Sequence, residues 1–498
     1  MALWWLERRD DVGVRRFAAA AAMCVIGLLA ISFFVLRPIV VEGPVLRDFE
    51  AYYAGGAAWL AGENPYSRQI WTFERHIPGV DASRLELLPF VQPPVVLPVF
   101  GLLSLLPYNA AALLWGTFVV LCALWIVFGS YMLAGGKLDP GSVTSLVVFA
   151  AAWGPIVAGC GLGQATMPAI AACIAALVAA QRIRCRRNAA AFGAFAFLAA
   201  AVKPNVAVVL AALATGRRRV ALFAAAFATF VAANVALAGG FGAFGRYLTM
   251  LRAHGDAERF NVWQVTPATA LWNLGASPQA AVAAQAGLAL LAVGATAAVI
   301  VRMRLGTVEA FALACCALCF VAPFLHEQDL CVMLLPALLC IRQARGRRWI
   351  WAVVGCALVG VDWLAMTQGP EGYVYCAVAV TVTAMQSRAL SHRGQRGIEL
   401  AALVAVATIA LVDAHAANYN ITVWPTALPA HFSVALDRSV AFVWQREQIA
   451  TGLQTRTFAW GLARLMVMAG AVVLWCTLVS LRLGRAGRAT VPAGQAAA

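Results

Sequence analysis

Residues 15–37 read RRFAAAAAMCVIGLLAISFFVLR. The apolar run at 17–36 has the length that the hydrocarbon core of a bilayer asks of one helix, about 20 residues. It is too long for the core of a signal peptide and no small-residue cleavage pattern follows, so it reads as an uncleaved anchor. Arg8, Arg9, Arg15 and Arg16 precede it. By the positive-inside rule they hold residues 1–16 in the cytoplasm and put residues 37–90 on the far side.

Runs of the same kind recur to the end of the chain. Of 498 residues 62% are hydrophobic and 12% charged, with a mean hydropathy of +0.80. A soluble domain carries about twice that charged fraction. The fold expected is therefore all-α, a polytopic transmembrane helical bundle. The net charge of +15 does not indicate nucleic acid, because the arginines cluster in short loops between apolar runs, where they also favour anionic lipid head groups. The cysteines lie in or beside apolar segments, so no disulfide framework is implied. Cys315, Cys316 and Cys319 read as buried and inert rather than as metal ligands.

Charge and parity order the spans. After the outer loop come apolar segments at 91–106, 110–133, 141–160 and 165–180, and then Arg182, Arg184, Arg186 and Arg187. Passing from an outer loop to an inner one takes an odd number of crossings, and these are four. One of them is expected to be re-entrant, either 91–106 or 141–160. Residues 189–215 carry Lys203-Pro204 at their middle and arginines at both flanks, which fits a hairpin with Lys203 near its tip; a single span with a buried lysine is the competing layout, which would put Arg182 to Arg187 outside. From 220 on the alternation is regular, with outer stretches at 239–278, 326–329, 368–372 and 415–456. A membrane module at 17–345, further helices at 346–488 and a disordered cytoplasmic tail at 489–498 are the divisions expected.

Four places could carry chemistry. Asp48 stands about ten residues after the first span, in Arg47-Asp48-Phe49-Glu50-Ala51-Tyr52-Tyr53, followed by Gly62-Glu63-Asn64-Pro65-Tyr66. Residues 51–61 suit a helix lying in the interface. Lys203 is one of only two lysines against 35 arginines, far from either end of its apolar segment. A charge at that depth faces a partner or a polar cavity, and a lysine suits a phosphate. His326-Glu327-Gln328-Asp329 forms a polar hairpin tip on the same outer face, with His326 a donor or proton relay. Gln164 opens a helix on that face.

Asp48-Phe49-x-x-Tyr52-Tyr53 with Leu60-Ala61-Gly62-x-Asn64-Pro65-Tyr66 resembles the signature of glycosyltransferase family 87, integral-membrane enzymes of the GT-C fold. Gly163-Gln164, Lys203-Pro204 and His326 follow in the order of that family's other motifs, and the likeness covers roughly residues 20–345. Gln92 stands where an aromatic residue usually precedes the Pro pair, and Ala165-Thr166 where Asn usually follows Gly-Gln. The resemblance implies a sugar, mannose first among candidates, carried on a polyprenyl monophosphate, and a hydroxyl on a lipid or glycan acceptor. It implies a metal-independent, inverting transfer without a cofactor, at the outer face of the cytoplasmic membrane. Asp48 would be the general base; Lys203, His326 and Gln164 would meet the donor; Tyr52, Tyr53, Asn64, Tyr66 and Gln92 would contact substrate. The chain contains no D-x-D, which would mark a nucleotide-sugar site. A flippase for lipid-linked sugars would explain the spans and Lys203 but not the acid motif, and an O-antigen-ligase-like transferase would want a larger basic outer loop.

Overall fold

The computed structural model describes residues 44–360 and 428–489, apart from breaks within 139–152, at 184–185 and at residue 436. The spans expected at 17–36, 373–386 and 398–414 lie outside the described residues, as does nearly all of the tail. Among the described residues every regular element is helical, and the chain is an all-α, polytopic membrane protein.

The Asp48 motif opens the first helix. Leu46, at φ 56°, turns the chain left-handed just ahead of α1 (Arg47–Leu60), and Asp48 and Glu50 occupy the first turn, where the helix dipole favours acids. Against α1 lies α2 (Leu97–Ser104). A Cβ on Gly56 would overlap the main chain of Phe100, so only glycine lets the two backbones approach this closely. The long apolar helix α3 (Tyr108–Leu133) follows.

Three bonds settle which segment fails to cross. Tyr66 Oη donates to the carbonyl of Gln92 at 3.0 Å, Tyr53 Oη to that of Leu106 at 2.8 Å, and Tyr108 Oη to that of Val45 at 2.6 Å. Both ends of α2 are thus tied to the motif loop, on one face of the bundle. The segment at 91–106 enters and leaves on the same side, with Val99, Leu102 and Leu105 exposed along it.

The remaining helices run back and forth. They are α4 (Gly154–Leu162), α5 (Thr166–Gln181), α6 (Arg186–Val202), the single turn α7 (Pro204–Ala207) with a 3₁₀ run Val208–Leu213, and α8 (Arg217–Ala238). Then come α9 (Phe241–Glu258), α10 (Pro267–Asn273), α11 (Pro278–Arg302) and α12 (Thr307–Val321). A 3₁₀ run Glu327–Met333 leads to α13 (Leu334–Gln343) and α14 (Arg347–Gly360), and the described part ends with α15 (Val440–Ala450) and α16 (Phe458–Ala489). Trp115 Nε1 donates to Gly163 O at 2.6 Å and Trp125 Nε1 to Ala171 O at 3.2 Å, so α3 and α5 descend side by side in the same direction. At the far end Arg342 bonds Tyr131 and Gly135, and Arg219 Nη2 bonds Ala180 O at 3.0 Å. The chain therefore returns to one end on both sides of Lys203, which makes 189–215 a hairpin.

Among the described residues, four helices are long and apolar enough to cross a membrane: α3, α8, α11 and the Trp460–Leu483 part of α16. Only 11% of the α8 window and 6% of the α11 window are buried, so these two turn their apolar faces to lipid. The centre is α5, whose Ile170, Cys173, Ala176 and Leu177 are fully enclosed. Cys315, Cys316 and Cys319 are buried and free.

Under α1 the outer layer holds a polar knot. Glu50, Glu74, Glu86 and Glu447 are wholly buried, facing Arg47 and the largely buried Arg68. Arg47 pairs with Glu50 and lies 3.8 Å from Glu86, and Glu447 of α15 accepts Leu87 N–H at 2.8 Å. Four carboxylates against two guanidiniums leave negative charge that burial will not hold ionised. Burial accordingly raises the carboxyl groups, Glu50 to about 8 against the pull of Arg47.

Two predictions follow from this layer and from the chain's alternation. The folded state binds more protons than the unfolded chain between the ordinary carboxyl value and about 8, so stability falls as pH rises through that window. The unfolding temperature in detergent should drop from pH 5 to pH 8, and Glu447→Gln should flatten that slope; a curve rising with pH refutes it. In a background cleared of reactive native thiols, cysteines placed at Ser67 and Asn109 should react with an impermeant reagent from one side of the membrane and one at Gly216 from the other. Labelling of Asn109→Cys together with Gly216→Cys would overturn the course drawn for α2.

Candidate active site

Gly163 is where the site begins to be assembled. It ends α4 at φ 70°, with Gln164 N–H returning to Gly159 O at 2.9 Å, the left-handed close that glycine permits. A Cβ there would come within 2.9 Å of Leu46 Cβ. The turn delivers the Gln164 amide to Asp48, to which Gln164 Nε2 donates a very short hydrogen bond. Gln164 Oε1 lies 3.3 Å from Tyr52 Oη, which also meets Gln92 Nε2 at 3.4 Å and Ala165 N at 3.5 Å. Asp48, Gln164, Tyr52 and Gln92 are therefore one cluster. Burial lifts the Asp48 carboxyl above its ordinary value, against the Gln164 bond and the charges of His326, Arg47 and Lys203. A carboxylate so raised is the stronger base.

The second half of the site hangs on Lys203. The residue before a proline is steered from the helical region, and Lys203, at φ −151° and ψ 88°, joins the end of α6 to the start of α7. Its ammonium, 9% exposed, meets Asp329 Oδ1 at 2.5 Å and Thr166 Oγ1 at 2.6 Å, and Thr166 Oγ1 is 2.7 Å from the same carboxylate oxygen. Asp329 Oδ2 accepts the main-chain N–H of His326 at 3.0 Å. Lys203 thus has a partner, and part of its charge is spent on holding the 3₁₀ run that carries His326.

His326 faces a third group. Its Nε2 lies 3.1 Å from Gln264 Nε2 and 3.5 Å from Glu258 Oε2. Glu258 Oε1 accepts Trp444 Nε1–H at 2.7 Å and sits 3.7 Å from His254 Nε2. Burial pushes Glu258 up, but His254, His326 and the Trp444 N–H outweigh it and hold the carboxyl below its ordinary value, so it is ionised. Arg464, fully buried, donates to the carbonyls of Gln264, Trp460 and Val262.

A continuous polar chain therefore runs from Asp48 through Gln164 and, two residues on, Thr166 to Lys203, Asp329, His326, Gln264 and Glu258. Of the residues expected in the site, Asp48, Gln164, Lys203, His326, Tyr52 and Gln92 belong to it. Tyr53 and Asn64 do not touch it, and Tyr66 meets it only through the Gln92 carbonyl. Tyr53 bonds Leu106 O, Asn64 Oδ1 accepts Tyr66 N–H at 3.0 Å in a turn of its own, and Tyr66 stacks on Tyr247 with ring centroids 4.8 Å apart. Their work is to shape the loop around α1. Thr166, Glu258, Gln264, Trp444 and Arg464 were not singled out from sequence. Thr166 alone left a signal, as the polar residue just after Gly163-Gln164.

The buried pair gives a direct test. Lys203→Met leaves the Asp329 carboxylate enclosed without its cation, a loss of roughly 3–5 kcal/mol. The unfolding temperature should fall clearly, and Lys203→Met with Asp329→Asn should recover much of it. A single variant as stable as the parent would show that the pair does not hold the tip of the hairpin.

Comparison with known proteins bears on this arrangement directly. Comparison with curated proteins and with solved structures returns no match. The model of glycosyltransferase family 87 matches residues 90–326, a stretch that contains Gln92, Gln164, Lys203 and His326 and begins after Asp48. The resemblance seen in the motifs is thereby shown over residues 90–326, where this chain is similar to glycosyltransferase family 87.

Proposed function

We propose that the protein transfers a sugar, mannose by its resemblance, from a polyprenyl monophosphate to a hydroxyl of a lipid or glycan acceptor. The reaction takes place on the face that carries Asp48, read by the arginine loops as the outer face of the cytoplasmic membrane. The observation that carries this reading is the Asp48 carboxylate, raised by burial and aimed by Gln164, within electrostatic reach of His326 and Lys203.

The step balances with these groups alone. Asp48 takes the proton of the acceptor hydroxyl as its oxygen attacks the anomeric carbon. The bond from that carbon to the phosphate oxygen breaks from the opposite side, which inverts the centre. The departing phosphate gains negative charge, and His326 with the remaining ammonium N–H of Lys203 would stabilise it. Tyr52 and Gln92, bonded to each other on the Asp48 side of the cluster, would meet the acceptor. The polyprenyl chain would stay in lipid, beside the apolar helices that the bundle leaves uncovered.

Asp48→Asn keeps shape and hydrogen bonding but removes the base. Turnover of radiolabelled polyprenyl-phosphate-mannose should fall by about 10²–10⁴-fold. Donor binding should survive, because the missing interaction belongs to the transition state. In the parent enzyme the rate should be lost as pH falls through the raised Asp48 value, since only the ionised carboxylate accepts a proton. Tyr53→Phe, which removes the hydroxyl bond to Leu106 O, should keep most activity. Undiminished transfer by Asp48→Asn would remove this acid from the reaction.

A further inference from the structure

The Gln164 amide is gripped at both of its atoms by two residues of α1 that stand one turn apart, Asp48 and Tyr52. Residues four apart share a face of their helix. Nε2 donates to Asp48 Oδ2, where an oxygen would instead oppose a carboxylate. The Tyr52 hydroxyl offers one hydrogen and two lone pairs. The main-chain N–H of Ala165 reaches it at 3.5 Å and Gln92 Nε2 at 3.4 Å, and both are donors. The one hydrogen of Tyr52 therefore goes to Gln164 Oε1, 3.3 Å away. These contacts are long, so it is their agreement in direction that sets the hydrogen.

The ring that carries this hydroxyl is held on two sides. It stacks on Phe100 of α2 with centroids 5.0 Å apart and meets Trp115 of α3 edge-on at 6.1 Å. Trp115 Nε1 also donates to Gly163 O at 2.6 Å, so one indole fixes both the ring of Tyr52 and the turn that delivers Gln164. Burial, with the Asp48 charge added, pushes the Tyr52 phenol further above its ordinary value, and it keeps its hydrogen at neutral pH.

We infer that Tyr52 is a positioning residue that, by bonding Gln164 Oε1, keeps the Gln164 N–H on Asp48 Oδ2 and leaves Oδ1 as the oxygen that takes the proton of the acceptor hydroxyl. The inference rests on the reading of Asp48 as the general base. Asp48 Oδ1 has no hydrogen bond among the described residues, and the side chain is partly exposed. A free amide could turn over and accept a hydrogen from a protonated Oδ2, a bond that favours the acid and disarms the base. With Tyr52 in place, the turned Nε2 would meet an oxygen whose two lone pairs already serve Ala165 and Gln92. The Tyr52 hydroxyl is spent in full on this task, so contact of Tyr52 with the acceptor falls to its ring.

The test reads the Asp48 proton directly. The titratable groups that face Asp48 are Arg47 and Glu50 on α1, Tyr108 on α3, and Lys203 and His326 across the site. Tyr52→Phe leaves all of them in place. In full-length protein carrying isotope-labelled aspartate, the infrared carbonyl band of the protonated Asp48 acid is assigned by its absence in Asp48→Asn. That band should persist to higher pH in Tyr52→Phe than in the parent. The variant weakens a bond that favours the carboxylate and admits one that favours the acid, and both raise the group.

Transfer should follow the spectrum. The acid limb of the rate profile should move to higher pH in Tyr52→Phe. Its loss of rate below the parent's limb should exceed its loss on the alkaline plateau by roughly tenfold, the scale of one hydrogen bond made to a charged group. In a Gln164→Leu background, adding Tyr52→Phe should move neither band nor limb any further, because Tyr52 acts through the amide. A Tyr52→Phe band that coincides with the parent's overturns the inference. So does a loss of rate equal at every pH, the mark of a merely structural role, or a full second shift in Gln164→Leu. A displaced band together with undiminished transfer by Asp48→Asn would instead refute the role given to Asp48 in the proposed function.

Discussion

The Lys203–Asp329 pair is the constraint on which the site depends. Three separate segments meet there: the junction of α6 and α7, the start of α5 through Thr166, and the 3₁₀ run that carries His326. Inside a bundle with few other charges, such a pair is costly to desolvate and more costly to break. The benefit is specific placement. Asp329 spends one oxygen on Lys203 and the other on the main-chain N–H of His326, so the position of the histidine is tied to that of the lysine.

The same economy recurs around the site. Polar groups are shared between elements rather than capped within them. Gln164 joins α1 to the turn after α4, Glu447 joins α15 to the loop at Leu87, and Arg464 joins α16 to the stretch before α10. The Glu447 and Arg464 links are buried and the Gln164 link partly so, and each is satisfied by a partner distant in the chain.

How much of this was legible in the sequence depends on what was asked. The helical bundle was plain from apolar runs and arginine loops, because hydropathy and charge act locally. The hairpin at Lys203 followed from the same rule. Choosing between 91–106 and 141–160 did not, since both are apolar and of similar length. The choice was made by three tyrosine hydroxyls bonding to carbonyls far away in the chain. In the site, Asp48, Gln164, Lys203 and His326 were readable as polar residues out of place in an apolar chain. Glu258 was hidden because it closes α9 in a polar stretch where an acid attracts no notice. Trp444 and Arg464 lie over a hundred residues beyond His326, and nothing local announces what they hold. Tyr53 and Asn64, motif residues, bond within the loop around α1, and Tyr66 reaches the cluster only through the carbonyl of Gln92.

The course of α2 bears on where the reaction takes place relative to lipid. One side of this helix is pressed on α1 through Gly56, and the other presents Val99, Leu102 and Leu105 outward. A helix with that division of surfaces floats at the boundary between hydrocarbon and head groups. Because α1 rides directly on it, the height of Asp48 is gauged by the near leaflet. On the donor proposed above, the carboxylate would keep its level beside the lipid-borne phosphate even when the bilayer thickens or thins, since the adjustment would fall on the crossing helices and not on the float.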